Sequence, residues 1–398
     1  MNVSELPCIA DRAALLSAQR TQKMARSAHA YVRGSTLKFY EWLAAQKRRS
    51  LPEGPAVWIC GDCHAGNLGP IANVDGEVEI QIRDVDQTVI GNPSHDLIRL
   101  ALSLATAARG SDLPGVTTAK ILEQMIEGYE RSLSTRGTNG MERPAAVDLA
   151  MKSAIRRTWR HLAEERIKDI KPTIPLGTSF WPLDKTERSA IKELFAQQDV
   201  RNLATLLRSR KDSAGVKVLD AAYWVKGCSS LGRLRFAVVL GIGKNSKRSL
   251  CLMDVKEATD AAAPRYARAS MPKCNAARVV EGAKHLAPHL GERMLATRLF
   301  GRSVFLRELL PQDLKLEIEH LTREEAMQTA RYLASVVARA HGRQMDAATR
   351  KAWQKELQRN RSKSLDAPSW LWSSVVALVA SHEVAYLEHC RRFSPAEL

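Results

Sequence analysis

The sequence predicts a mixed α+β protein of two lobes, a small antiparallel β-sheet lobe and a larger, mostly helical one. Three observations predict it. The 398 residues correspond to two or three units of about 150 residues each, enough to bury a sizeable core. Strand-like segments rich in β-branched and aromatic residues, with glycines at the turns, cluster between residues 216 and 310. Elsewhere apolar residues recur at helical spacing. A composition of 45% hydrophobic and 26% charged residues excludes wholesale disorder.

Four segments follow in order. Residues 1–50 read as N-terminal helices, since Cys8 to Gln46 is rich in helix formers and interrupted only near Gly34. Residues 51–215 read as the helical catalytic lobe. Here a short strand, AVWIC, leads into the loop GDCHAGNLG, and a second strand, EVEIQIRDVDQ, leads to an apolar helix over Asp96 to Ala108. Helical character then continues to about Arg210, broken by the Gly- and Pro-containing loop KPTIPLGTSFWPLD. Residues 216–310 form the β-rich lobe: VKVLDAAYWVKG, LGRLRFAVVLGIG and SLCLMDVKEA as strands, ARVVEGAKHLA as a helix and GRSVFLREL as a further strand. Residues 311–398 read as C-terminal helices that pack on the catalytic lobe. The chain shows no internal repeat.

The net charge of +17 favours anionic partners without choosing among nucleotides, phosphorylated metabolites, nucleic acid and anionic membranes. Seven scattered cysteines, an odd number, fit free thiols in a reducing compartment. The N-terminus reads as neither a secretory signal nor a lipidation site, and the apolar run from Trp370 to Ala380 is far short of the roughly 20 residues of a membrane span. The expected compartment is the cytoplasm. Oligomeric state is not legible.

The chemistry concentrates between residues 60 and 86. An acid, an amide five residues later and further acids after a strand are the groups that magnesium-dependent phosphoryl transfer uses. Asp62 is the expected base, Asn67 and Asp84 the expected metal ligands, with Asp86 as an extra metal contact and His64 aimed at the transferred group. Asp96 suits bracing the loop, as an N-cap would. Gly, Asp and Asn also suit an ordinary turn. Cys60-Gly-Asp-Cys63-His64 further matches the haem-attachment pattern C-x-x-C-H and half of a zinc site, but haem attachment of that kind belongs to exported proteins and no second C-x-x-C exists to complete zinc.

A nucleotide site is expected in the β-rich lobe. Gly227, Ser229, Ser230 and Gly232 lie in a hairpin loop whose backbone N–H groups can approach phosphates, although a plain turn has the same composition. Lys256, flanked by apolar strand residues, is costly unless it meets an anion. Glu281, on the following helix, is its expected counter-ion, with Glu257 nearer in sequence and a solvated helix face the default for such a Glu. His341 and Arg33 read as structural.

Over nearly its whole length the chain resembles a bacterial family catalogued as domain of unknown function 2252. The resemblance rests on KMARSAHAYVRGSTLKFYEWL, CGDCHAGNLG, IRDVDQTVIGNPSHDLIRLALSLA, VKGCSSLGRLRFAVVL, DVKEA, RVVEGAKHL and ASVVARAHGRQ. Its central part is also similar to aminoglycoside and choline phosphotransferases of the protein-kinase-like fold, whose loop reads H-G-D-x-H-x-x-N before an I-D-x-D strand and a D-L-A helix. That resemblance implies Asp62 as catalytic aspartate, Asn67 and Asp84 as metal ligands, Asp96 as structural aspartate, and ATP and Mg²⁺ as cofactors. Cys60 and Arg83 depart from the pattern, and the catalytic loop precedes the Gly227 to Lys256 unit, which implies a circularly permuted kinase-like fold. The expected function is thus an ATP- and Mg-dependent phosphotransferase acting on a hydroxyl of a small molecule. The alternatives are a catalytically silent nucleotide-binding regulator, or a nucleic-acid-binding protein using clusters such as Lys47-Arg48-Arg49 and Arg156-Arg157-Thr-Trp159-Arg160, which look more like solvated helix faces.

Overall fold

The computed structural model describes residues 11–393 apart from 48, 111–114, 135–141, 168–171, 228–230, 245–247, 317–320 and 360–366. The chain begins with α1 (Arg12–Ala25), α2 (Ala28–Gly34) and α3 (Thr36–Ala44), followed by β1 (Val57–Ile59), β2 (Leu68–Ala72), β3 (Val78–Ile82) and β4 (Val89–Gly91). Next come α4 (Pro93–Gly110), α5 (Gly115–Ser134), α6 (Ala145–Ile155), α7 (Trp159–Arg166), β5 (Phe180–Trp181), α8 (Lys185–Ala196) and α9 (Gln198–Thr205). The sheet strands β6 (Val216–Trp224), β7 (Arg235–Ile242) and β8 (Ser249–Glu257) precede α10 (Asn275–Leu286), α11 (Pro288–Gly291), β9 (Met294–Leu299) and β10 (Arg302–Leu309). The chain closes with α12 (Arg323–Gly342), α13 (Ala347–Leu357) and α14 (Ser369–Phe393).

The architecture is mixed α+β with small antiparallel sheets. Six strands form one sheet in the order β5-β6-β7-β8-β10-β9, while β1 pairs with β4 and β2 with β3. The period of two along β7 and β8 sorts side chains onto two faces. Phe236, Val238, Leu240, Met253 and Val255 pack against α8 and α9 on one face. Ala237, Val239 and Leu252 join Leu162 and Ala163 of α7 on the other. A third cluster unites α4, α5, α10, α12 and α14 around β1 and the loop after it. Helices α5 and α12 cross closely at Gly128, where an added Cβ would lie 2.2 Å from the carbonyl oxygen of Arg331.

Three differences from the sequence reading have physical causes. The loop expected over 171–184 contains β5, which extends the sheet by pairing Phe180 and Trp181 with Trp224 and Tyr223; two residues are too short to show periodicity. Helices α8 and α9 bury their apolar faces on the sheet, so α7, α8 and α9 pack with the strands rather than with the catalytic loop. Strand β9 lies in a stretch without the alternation that marks the other strands, yet pairs with β10 along Met294–Leu299. Among the described residues no helix is long and apolar enough to cross a membrane.

Candidate functional site

A cavity of about 670 Å³ opens between the sheet and the loop after β1. Asp62, His64, Asn67, Asp84, Asp86, Gly227 and Lys256 all line it. That volume is within the usual range for small-molecule sites.

The loop is held from behind. Asp96, fully buried in the first turn of α4, accepts from the backbone N–H groups of Cys60 (2.7 Å) and Gly61 (2.9 Å). It is a brace, but it grips the preceding loop rather than capping its own helix. The buried His341 of α12 reaches the same carboxylate through Nε2 at 3.1 Å, while Tyr129 meets its Nδ1 at 2.9 Å and Trp353 Nε1 donates to the Tyr129 oxygen at 3.1 Å. A carboxylate only accepts, so Nε2 carries a proton. Both N- and C-terminal helices therefore flank the loop, since Tyr40 of α3 donates to the Gly61 carbonyl. Gly61 has φ +74°, and a Cβ there would lie 2.2 Å from the carbonyl oxygen of Gln87, so only glycine fits.

Asp62 faces the cavity with both oxygens engaged. Arg99 Nε donates to Oδ1 at 2.9 Å and Thr36 Oγ1 to Oδ2 at 3.0 Å. Asn67 Nδ2 donates to the carbonyl of Asp84 at 2.7 Å, which leaves its amide oxygen as the atom for a cation. The Cys60–Cys63 hydrogen bond raises Cys60 and lowers Cys63, but burial lifts both thiols above the ordinary range. Such thiols are poor thiolates and poor zinc ligands.

The opposite wall belongs to the sheet. Arg235 is paired in register with Lys256, and Asp254 with Arg307, so these four side chains share one face. Asp254 takes Arg235 at 2.8 and 2.6 Å and Arg307 at 3.3 Å. Burial alone raises the Asp254 carboxyl, but the two guanidiniums hold it well below the usual range. Lys256 reaches across to Asp84 at 3.6 Å and to Asp86 more closely. Burial raises both carboxyls; Lys256 and Arg307 bring Asp84 down, whereas the adjacent Asp84 charge keeps Asp86 raised.

Magnesium keeps several waters and is bound through one or two carboxylates plus substrate phosphates. Asp84, Asp86 and the Asn67 amide oxygen are donors of that type, and the Lys256 ammonium already shows that the two carboxylates accept a cation between them. Among the described residues no group of three or more His, Cys, Asp or Glu could hold a metal, so an ion here would draw its remaining oxygens from phosphate and water.

Residues 12–392 match the family described as "Uncharacterized protein conserved in bacteria (DUF2252)". The chain belongs to that family. No curated protein and no solved structure matches it.

One expectation for this DUF2252 chain needs correction. Glu281 does not meet Lys256: it sits on the outer side of α10 and pairs with Lys284 (3.5 Å) and His285 (3.4 Å). The helix turns its Ala276, Val279 and Ala283 face inward, which leaves Glu281 outside. Arg278 makes the connection instead, donating to the carbonyls of Asp86 (3.1 Å), Thr259 (2.8 Å) and Thr88. In the Arg156–Arg160 cluster Arg156 and Arg160 are exposed, in keeping with the solvated faces expected, with Arg157 on Glu165 and Arg160 on Glu164.

Ser229, Ser230, Arg48 and the Arg33 side chain lie outside the described residues. Gly227 (φ +100°) and Gly232 (φ +94°) begin and end the hairpin loop in left-handed conformations. Sequence reasoning did not single out Arg99, Arg278 or Asp254. A charged residue inside an otherwise apolar strand or helix, the signal that found Lys256, applies equally to all three.

Proposed function

We propose that the chain is an ATP- and magnesium-dependent phosphotransferase of circularly permuted kinase-like architecture, acting on a hydroxyl of a small molecule. One observation carries this reading: Lys256 of the sheet meets Asp84 and Asp86 at a cavity that Asp62 also lines. In protein kinases the lysine lies on the third strand, after a glycine loop between the first two. Here Lys256 lies on β8, after the Gly227–Gly232 loop that joins β6 and β7.

In this mechanism Asp62 accepts the proton of the acceptor hydroxyl, and Arg99 and Thr36 fix its orientation. Asn67, Asp84 and Asp86 would hold magnesium, which neutralises charge on the transferred phosphoryl group. Lys256 then turns from the carboxylates to the nucleotide phosphates, and the Gly227 backbone approaches them without a Cβ in the way. Positioning and charge provide most of the rate in such a site.

The engagement of both Asp62 oxygens favours a second reading, a silent nucleotide-binding regulator. ATP consumption against a panel of hydroxyl compounds separates the two. Asp62→Asn is expected to lower turnover by about 10²–10⁴-fold with nucleotide affinity retained. Equal turnover in variant and parent removes Asp62 from the mechanism, and nucleotide binding with no turnover on any acceptor supports the regulator.

A further inference from the structure

The cavity lining is unevenly charged. Nine basic side chains face five acidic ones, Asp62, Asp84, Asp86, Glu165 and Asp313. Asp62 follows β1 and Asp84 and Asp86 follow β3, whereas Lys23 and Arg26 come from the end of α1, Arg166 from the end of α7 beside Glu165, and Lys226 from just past β6. Lys23 Nζ donates to the carbonyl of Gly227 at 3.4 Å, which ties α1 to the glycine loop. Lys226 Nζ stands 4.2 Å over the Trp224 ring. Arg166 lies 3.0 Å from Glu165, but Glu165 is shared with Arg157.

These cations also bear on one another. Burial lowers Lys226 well below its ordinary value, and the nearby Arg166 and Arg235 lower it further although Asp254 opposes them. Burial lowers Arg166 as well, and Arg307, Arg157 and Arg235 add to the effect although Glu165 opposes it. Like charges held together in a partly dry cavity are costly, and a ligand with more than one negative charge relieves the cost most. Lys256 and the glycine loop already provide for the nucleotide.

We propose that Lys23, Arg26, Arg166 and Lys226 form a second anion subsite, so that the hydroxyl compound this enzyme phosphorylates itself carries a phosphate group. The subsite stands on the cavity's geometry, while its assignment to the acceptor rests on the phosphotransferase reading. In the transfer the acceptor oxygen forms a bond to the γ-phosphorus and the bond from that phosphorus to the β-bridging oxygen breaks. Its electron pair leaves with ADP, and the hydroxyl proton passes to Asp62. The basic subsite holds the acceptor's own phosphate while this happens.

The test is thermal unfolding of the full chain at matched ionic strength, with saturating magnesium and a non-hydrolysable ATP analogue, titrated with inorganic phosphate or with acetate. Phosphate is expected to raise Tm by a further about 2 °C or more, and acetate by much less. Lys226→Met and Arg26→Met are expected to lose that increment while keeping the one due to the nucleotide. Arg26 is exposed, so its variant keeps the test open where Lys226→Met disturbs the strand end. A phosphate increment no larger than that of acetate, or one kept in both variants, overturns the subsite. Absence of any nucleotide increment, with the phosphate increment present and lost in the variants, overturns the phosphotransferase reading and the acceptor assignment but not the anion site.

Discussion

Two clusters of carboxylates and cations meet at the cavity, one within the sheet and one between the sheet and the loop side, and their stoichiometries are inverted. At Asp254 one carboxylate, 0% exposed, is shared by two guanidiniums. At Asp84 and Asp86 two carboxylates share one ammonium, and they are 48% and 17% exposed. The first cluster is closed: each group has its partners and no ligand can reach the carboxylate. The second has negative charge to spare and an opening to the cavity. The buried carboxylate is retained because two hydrogen-bonded cations compensate it, whereas the open pair of carboxylates, with one ammonium between them, has capacity for another cation.

The comparison breaks first at Asp254. Asp254→Asn leaves two guanidiniums facing each other with no carboxylate between them, and the expected loss is about 3–5 kcal/mol in urea unfolding. Because the folded-state carboxyl is held low, its contribution is present at neutral pH and lost as pH falls below the ordinary carboxylate range. The variant's unfolding free energy should therefore fall less steeply with acid than the parent's. A variant as stable as the parent makes the closed cluster dispensable.

Gly61→Ala is the next largest. Its positive φ and the approach of the Gln87 carbonyl cost an alanine about 1–3 kcal/mol, read in the same unfolding curves. The displaced carbonyl lies one residue beyond Asp86, so magnesium-nucleotide protection should fall as well. Protection that survives the destabilisation uncouples the open cluster from the loop.

The smallest stability effect belongs to the open cluster itself. Asp86→Asn removes a carboxylate whose neighbour already repels it, and the expected change is within about 1 kcal/mol. Magnesium-dependent ATP protection should nonetheless be lost. A destabilisation as large as that of Asp254→Asn makes the two clusters alike and removes the contrast.

Much of the loop was legible because its parts lie close in sequence. Asp62 and Asn67 lie on the loop after β1 and Asp84 and Asp86 just past the β2–β3 hairpin, within 25 residues of chain, and all four line one cavity. Lys256 was legible for a different reason, the cost of an ammonium among apolar strand residues. Glu281 was misread because helical phase decides its direction: three residues earlier, Arg278 points to the Asp86 backbone. The two-residue β5 carries no periodic signal, and α8 and α9 show an apolar face without showing which sheet it covers. The braces, His341 on Asp96 and Arg99 on Asp62, join separate elements: a charge in an apolar helix flags Arg99 itself, but nothing local names either partner.

The central claim, that the Asp84–Asp86–Lys256 cluster takes a magnesium-bound triphosphate, is tested most directly by thermal unfolding with ATP, with and without Mg²⁺, in the parent and in Asp84→Asn. The expected result is a rise in Tm that grows with ATP concentration, depends on Mg²⁺ and disappears in the variant. Protection that is the same without Mg²⁺, or the same in Asp84→Asn, or absent altogether, contradicts it.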